Sequence, residues 1–65
     1  MMKGFIEVEG QNDNEKRLIN IKYIEEVYGQ CIYLAFNVPN ALQQDYIYCK
    51  ETYKEIKQKI KEAVG

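Results

Sequence analysis

Sixty-five residues leave room for a single domain spanning 1–65. A chain of that size buries only roughly 60% of the surface its unfolded form exposes. Hydrophobic residues make up 46% and charged residues 29%, a balance that excludes a disordered chain because there is enough apolar material to offset chain entropy. The net charge of −1 removes the basic excess that non-specific phosphate binding needs, and no run is apolar for the length of a membrane span.

The opening run Met-Met-Lys-Gly-Phe-Ile-Glu-Val-Glu places acids where a signal peptide needs an apolar stretch, so the expected location is cytoplasmic. Residues 4–9 predict a first strand, with Ile6 and Val8 on one face and Phe5, Glu7 and Glu9 on the other. Gly10 to Asn14 is dense in turn-forming residues, and residues 15–21 predict a second strand that completes a hairpin. The chain then bends over Asn20 to Tyr23 into a third strand at about 23–28. Its register stays open, because apolar residues occur at both parities. Gly29-Gln30 is a short turn.

Residues 31–36 read as the clearest strand, apolar on both faces: Ile32, Leu34 and Phe36 on one, Cys31, Tyr33 and Ala35 on the other. Pro39 stops it, since proline lacks the donor a ladder requires, and residues 37–45 form a loop longer than a tight turn. Residues 45–50 predict the last strand, with Ile47 and Cys49 opposite Tyr46 and Tyr48. Thr52 and Glu55 match a capping box at the start of a helix. Tyr53, Ile56, Ile60, Ala63 and Val64 then recur as one apolar stripe. Lys54, Lys57 and Lys61 line one flank of it, and Glu55, Lys59 and Glu62 line the other.

The fold class expected is therefore α+β, an antiparallel sheet of four to five strands with one C-terminal helix packed on one face. Ile6, Val8, Ile32, Leu34, Phe36, Ile47 and Cys49 should lie beneath the helix by strand parity. The opposite face should carry Phe5, Tyr33, Tyr46 and Tyr48, with Cys31 and Ala35 between them. A sheet face open to water normally alternates to polar residues, so bulky aromatics there point to an interaction surface. The competing explanation is that tyrosines favour strands and sit half exposed with no role. The four aromatics are the candidate interface, and a homodimer or small homo-oligomer is the simplest partner. An unidentified protein partner remains open, and membrane binding is not expected.

Other sites are weaker. Strand parity points Cys31 and Cys49 to opposite faces, which forbids a disulfide, and both read as small buried hydrophobes. With no histidine and only two thiols, no metal site is expected. The Asn12-Asp13-Asn14-Glu15 run lacks the spacing of a calcium loop and reads as an ordinary turn. The helix lysines read as a solvated flank. No general base, Gly-rich phosphate loop or nucleophile elbow is present, so neither a catalytic residue nor a cofactor is expected and the chain reads as a non-enzyme. An alternative function is single-stranded nucleic-acid binding, with tyrosines stacking on bases and helix lysines on the backbone. The acidic charge balance counts against it.

The run Leu18-Ile19-Asn20-Ile21-Lys22-Tyr23-Ile24-Glu25-Glu26-Val27 leads into a strand pair. Near the end follows Ile47-x-x-Lys50-Glu51-Thr52-x-x-Glu55-Ile56. This layout resembles the small flagellar FlbD-like proteins and related uncharacterised short bacterial proteins. In them a Leu-x-Asn-x-x-x-Ile-Glu segment enters a hairpin and a Glu-Ser/Thr-x-x-Glu helix start closes the chain. The likeness covers Leu18 to Val27 and Ile47 to Ile60, about half the chain. It implies a compact strand-rich module with one terminal helix that works through contacts rather than chemistry.

Overall fold

The structure, a computed structural model, describes residues 3–35 and 45–64. Its elements run β1 (Phe5–Glu9), β2 (Lys16–Asn20), a short 3-10 turn (Ile21–Tyr23), β3 (Ile24–Tyr28), β4 (Cys31–Leu34), β5 (Tyr46–Tyr48) and α1 (Tyr53–Val64). All strand pairs are antiparallel and the class is α+β. Phe36, and all of the 37–45 loop except Asp45, lie outside the described residues.

The strands do not form one continuous sheet. β1 and β2 make a two-stranded sheet, β3, β4 and β5 a three-stranded one, and a single bridge between Gly10 and Cys49 joins them. This corrects the expected sheet of four to five strands, and the cause is local. The Gly10 amide donates to the Glu15 carbonyl at 2.7 Å, so β1 turns away as soon as it reaches β5. Among the described residues two backbone bonds span the junction, Lys50 N to Glu9 O at 2.9 Å and Gln11 N to Tyr48 O at 3.1 Å. The next donor, Glu9 N, is taken by the Glu51 carboxylate at 3.1 Å instead of by backbone.

The turn itself needs Gly10. A Cβ there would stand 2.1 Å from Asp13 Oδ1. That carboxylate is already committed, accepting from the Glu15 amide at 3.0 Å and from the Arg17 guanidinium. Those contacts hold the Asp13 carboxyl below its ordinary range, the Glu15 amide contributing most. Asn14 follows at φ 58°, a left-handed position that asparagine tolerates. At the β3–β4 turn Gly29 takes φ 60° in the first of two central positions, the II′ arrangement of tight hairpins.

β3 settles the register that its sequence leaves open. Ile24 pairs with Leu34 and Val27 with Ile32, with a bulge between Ile24 and Glu26. The extra residue switches parity, so both apolar residues reach the core while Glu26 and Tyr28 point away.

The core gathers Ile6, Val8, Ile19, Ile32, Leu34, Ile47, Cys49, Ile56 and Ala63. The parity argument places six of these strand residues correctly; Ile19 joins them from β2. On the helix, Ile56 and Ala63 are buried and Ile60 half-buried, but Tyr53 and Val64 are exposed. A helix turns about 100° per residue, which sets Tyr53 and Val64 about 60–80° from Ile56, at the margin of the stripe. Thr52 and Glu55 form the expected capping box, with Thr52 N donating to Glu55 Oε1 at 2.9 Å and Glu55 N to Thr52 Oγ1 at 3.3 Å. At the other end Ala63 O accepts from Gly4 N at 3.0 Å, fastening the helix to the start of β1.

Ile56 is fully buried, so Ile56→Ala should cost about 2–5 kcal/mol. A core this small rarely supplies more than about 3–5 kcal/mol in all, so urea denaturation should find the variant largely unfolded. Burial, followed by the charge of Glu51, pushes the Cys49 thiol up to about 11 from its ordinary 9.0. Above pH 9 the unfolded state loses this proton first, so stability should hold below pH 9 and fall towards pH 11. Cys49→Ala should flatten that alkaline decline, measured by denaturation at each pH.

Candidate functional site

The antiparallel register of the three-stranded sheet sets out two rows on the side away from the core. Glu26 pairs with Tyr33 and Tyr33 with Tyr46; Tyr28 pairs with Cys31 and Cys31 with Tyr48. Between them runs the core-facing row of Val27, Ile32 and Ile47. Four tyrosines therefore surround one cysteine on a single face. The rings touch: Tyr46 lies 6.3 Å from Tyr33, tilted, and 5.4 Å from Tyr48, edge on. Such edge and tilted pairings are the preferred aromatic geometry, so the cluster is rigid before anything binds to it.

Cys31 is only 4% exposed yet stands apart from the core cluster, because its row faces outward. Its cross-strand neighbours Tyr28 and Tyr48, and Tyr33 two residues along the same strand, cover it. Cys49, by contrast, lies in the core and gives its thiol to the Gln30 carbonyl at 3.5 Å. Both thiols are free. The phenol of Tyr33 is raised above its ordinary 10.0, chiefly by its hydrogen bond with Cys31, then by the charge of that sulfur and by burial. Tyr48 and Glu26 add to the effect, which marks these groups as one electrostatic neighbourhood.

The tyrosines remain open to solvent: Tyr28 is 73% exposed, Tyr48 51%, Tyr33 39% and Tyr46 37%. Together they equal about two fully exposed tyrosines, roughly 400 Å² at about 200 Å² each. A patch of that size matches the largest apolar patch of a typical monomer, about 300–600 Å², which is often functional. At its rim Lys50 is tied to Glu9 at 3.1 Å and to Asn14, so its charge is engaged.

Of the sequence candidates, Tyr33, Tyr46 and Tyr48 come together. Phe5 does not join them. It is half-buried on β1, and Gln11, which meets Tyr48, lies six residues further along the chain. At about 3.3 Å per residue the two ends are roughly 20 Å apart along the strand. Tyr28 is the member that sequence reasoning misses. The signal was available, because a two-residue Gly29-Gln30 turn forces Tyr28 to pair with Cys31, but it was obscured by the bulge in β3.

Among the described residues no group of three or more His, Cys, Asp or Glu stands where it could hold a metal ion, and no helix is long and apolar enough to cross a membrane. Comparison with family models, curated proteins and solved structures finds no match to this chain.

The Tyr33–Cys31 contact is directly measurable. In an ultraviolet phenolate titration, the step that Tyr33→Phe removes should lie above 10.0. Cys31→Ala should bring that step back towards 10.0.

Proposed function

We propose that this chain is a small, non-catalytic interaction module that associates with a second copy of itself through the face built by Tyr28, Tyr33, Tyr46 and Tyr48. The observation that carries this reading is the pre-packed tyrosine cluster, which stays exposed although the helix shelters the other side of the same strands. Tyrosine suits such a role, being large, stiff and able to hydrogen-bond at its tip. A cytoplasmic setting fits two free thiols, which stay reduced there. The likeness to FlbD-like proteins adds only that a strand-rich module with a terminal helix works through contacts.

The size of the patch bounds the strength of association. Roughly 400 Å² of tyrosine face on one copy, with a like area on its partner, gives about 800 Å² in total, below the about 1,200 Å² of stable interfaces. Self-association is therefore weak and depends on concentration. Stacking of single-stranded nucleic acid on the same rings is the competing use. The net charge of −1 counts against it.

Light scattering over a concentration series should show a mass rising above the monomer for the native chain and a constant monomer mass for Tyr46→Ser/Tyr48→Ser. An unchanged association in the double variant rejects the tyrosine face. A labelled oligonucleotide at low salt should remain unbound, and saturable binding there would favour stacking instead.

A further inference from the structure

The tyrosine face carries an acid but, among the described residues, no free cation of its own. Glu26 stands in line with Tyr33 and Tyr46, and its charge is felt at the Tyr33 phenol. Lys50, the cation beside it, is already held by Glu9 and Asn14. Two such faces laid against each other would place two Glu26 carboxylates in one interface, with no free cation to offset them among the described residues. Like charges brought together in an interface disfavour that pairing. The π-faces of the rings are likewise electron-rich, suited to an ammonium group and not to a second carboxylate.

The complement lies on the opposite side of the same chain. Lys54, Lys57 and Lys61 are exposed on α1, and none of them enters an ion pair among the described residues. On a helix turning about 100° per residue, this lysine flank borders the exposed side chains of Tyr53 and Val64. The result is a mixed cationic and apolar strip. Its length from Lys54 to Lys61 is about 10 Å at 1.5 Å per residue. The tyrosine rows cross three strands, also about 10 Å at roughly 4.8 Å per strand spacing. Within one molecule the two surfaces cannot meet. Ile56 and Ala63 hold the helix on the core side, and the tyrosines face away from it.

We infer that copies of this chain associate head to tail, with the Lys54/Lys57/Lys61 flank of α1 in one copy seated on the tyrosine face and Glu26 of the next. This rests on the self-association proposed above and specifies its geometry. A head-to-tail contact leaves one unused surface of each kind at the ends, so assembly does not stop at a symmetric dimer. It also weakens as salt screens the lysine contacts.

A mixing experiment separates this from face-to-face pairing. One variant, Lys54→Ala/Lys57→Ala/Lys61→Ala, keeps its tyrosine face. A second, Glu26→Lys/Tyr28→Ser, keeps its helix flank; all five positions are exposed, so both variants should retain the native circular dichroism spectrum. Head-to-tail assembly predicts that each variant alone sediments as a monomer at concentrations where the native chain associates. An equal mixture should form a heterodimer and nothing larger. If the triple lysine variant self-associates as the native chain does, the geometry is overturned while the tyrosine face stands. Two inert variants that also fail to bind each other overturn it as well. A native chain that stays monomeric at every concentration removes the self-association reading and this inference together.

Discussion

One twelve-residue helix can shelter one side of a set of strands and no more, and the organisation of this chain follows from that limit. Ile56 and Ala63 complete a core with Ile6, Val8, Ile32, Leu34 and Ile47, and nothing described covers the other side of β3, β4 and β5. The strands there do not revert to the polar alternation expected of a wetted face. Tyrosines take the outward positions instead, each presenting an apolar ring and a polar tip, a compromise between burial and solvation. Their packing is enough to dry Cys31 from outside, making a second, thin apolar layer beyond the core.

The break between the two sheets serves the same arrangement. A continuous ladder would need β1 to run on beside β5 past Tyr48. Gly10 and the Asp13 carboxylate turn it back at that point, and the side chains of Glu51, Gln11 and Lys50 close the seam. The hairpin of β1 and β2 keeps its apolar side on the helix through Ile6, Val8 and Ile19, while its outward side carries Glu7, Glu9 and Leu18. The exposed tyrosine rows thus lie on the three-stranded sheet, and the Lys54, Lys57 and Lys61 flank lies on the helix.

Much of this was legible in the residues. Period-two alternation located β1, β4 and β5 and sorted Ile32 and Leu34 from Tyr33. The Thr52–Glu55 spacing set the start of the helix, and turn chemistry placed both hairpin turns. Three of the four proposed interface residues fall together as parity implies. The fourth, Phe5, shows the limit of the method. Parity assigns a side chain to one side of its own strand, but says nothing of how far along a neighbouring strand it lies. Tyr28 was hidden for a related reason, since the bulge at Ile24 to Glu26 breaks the alternation on which parity depends.

By itself, then, the amino-acid order determined the class, the strand and helix types and most of the buried strand residues, because these follow from local periodicity and from hydrogen bonds spanning three or four residues. It could not decide that the sheet divides at Gly10, that Cys31 and Cys49 occupy separate apolar layers, or that Tyr28 belongs with Tyr48 while Phe5 does not. Those outcomes depend on register between segments as much as forty residues apart. Register is set only when turns, bulges and side-chain caps are satisfied together in three dimensions.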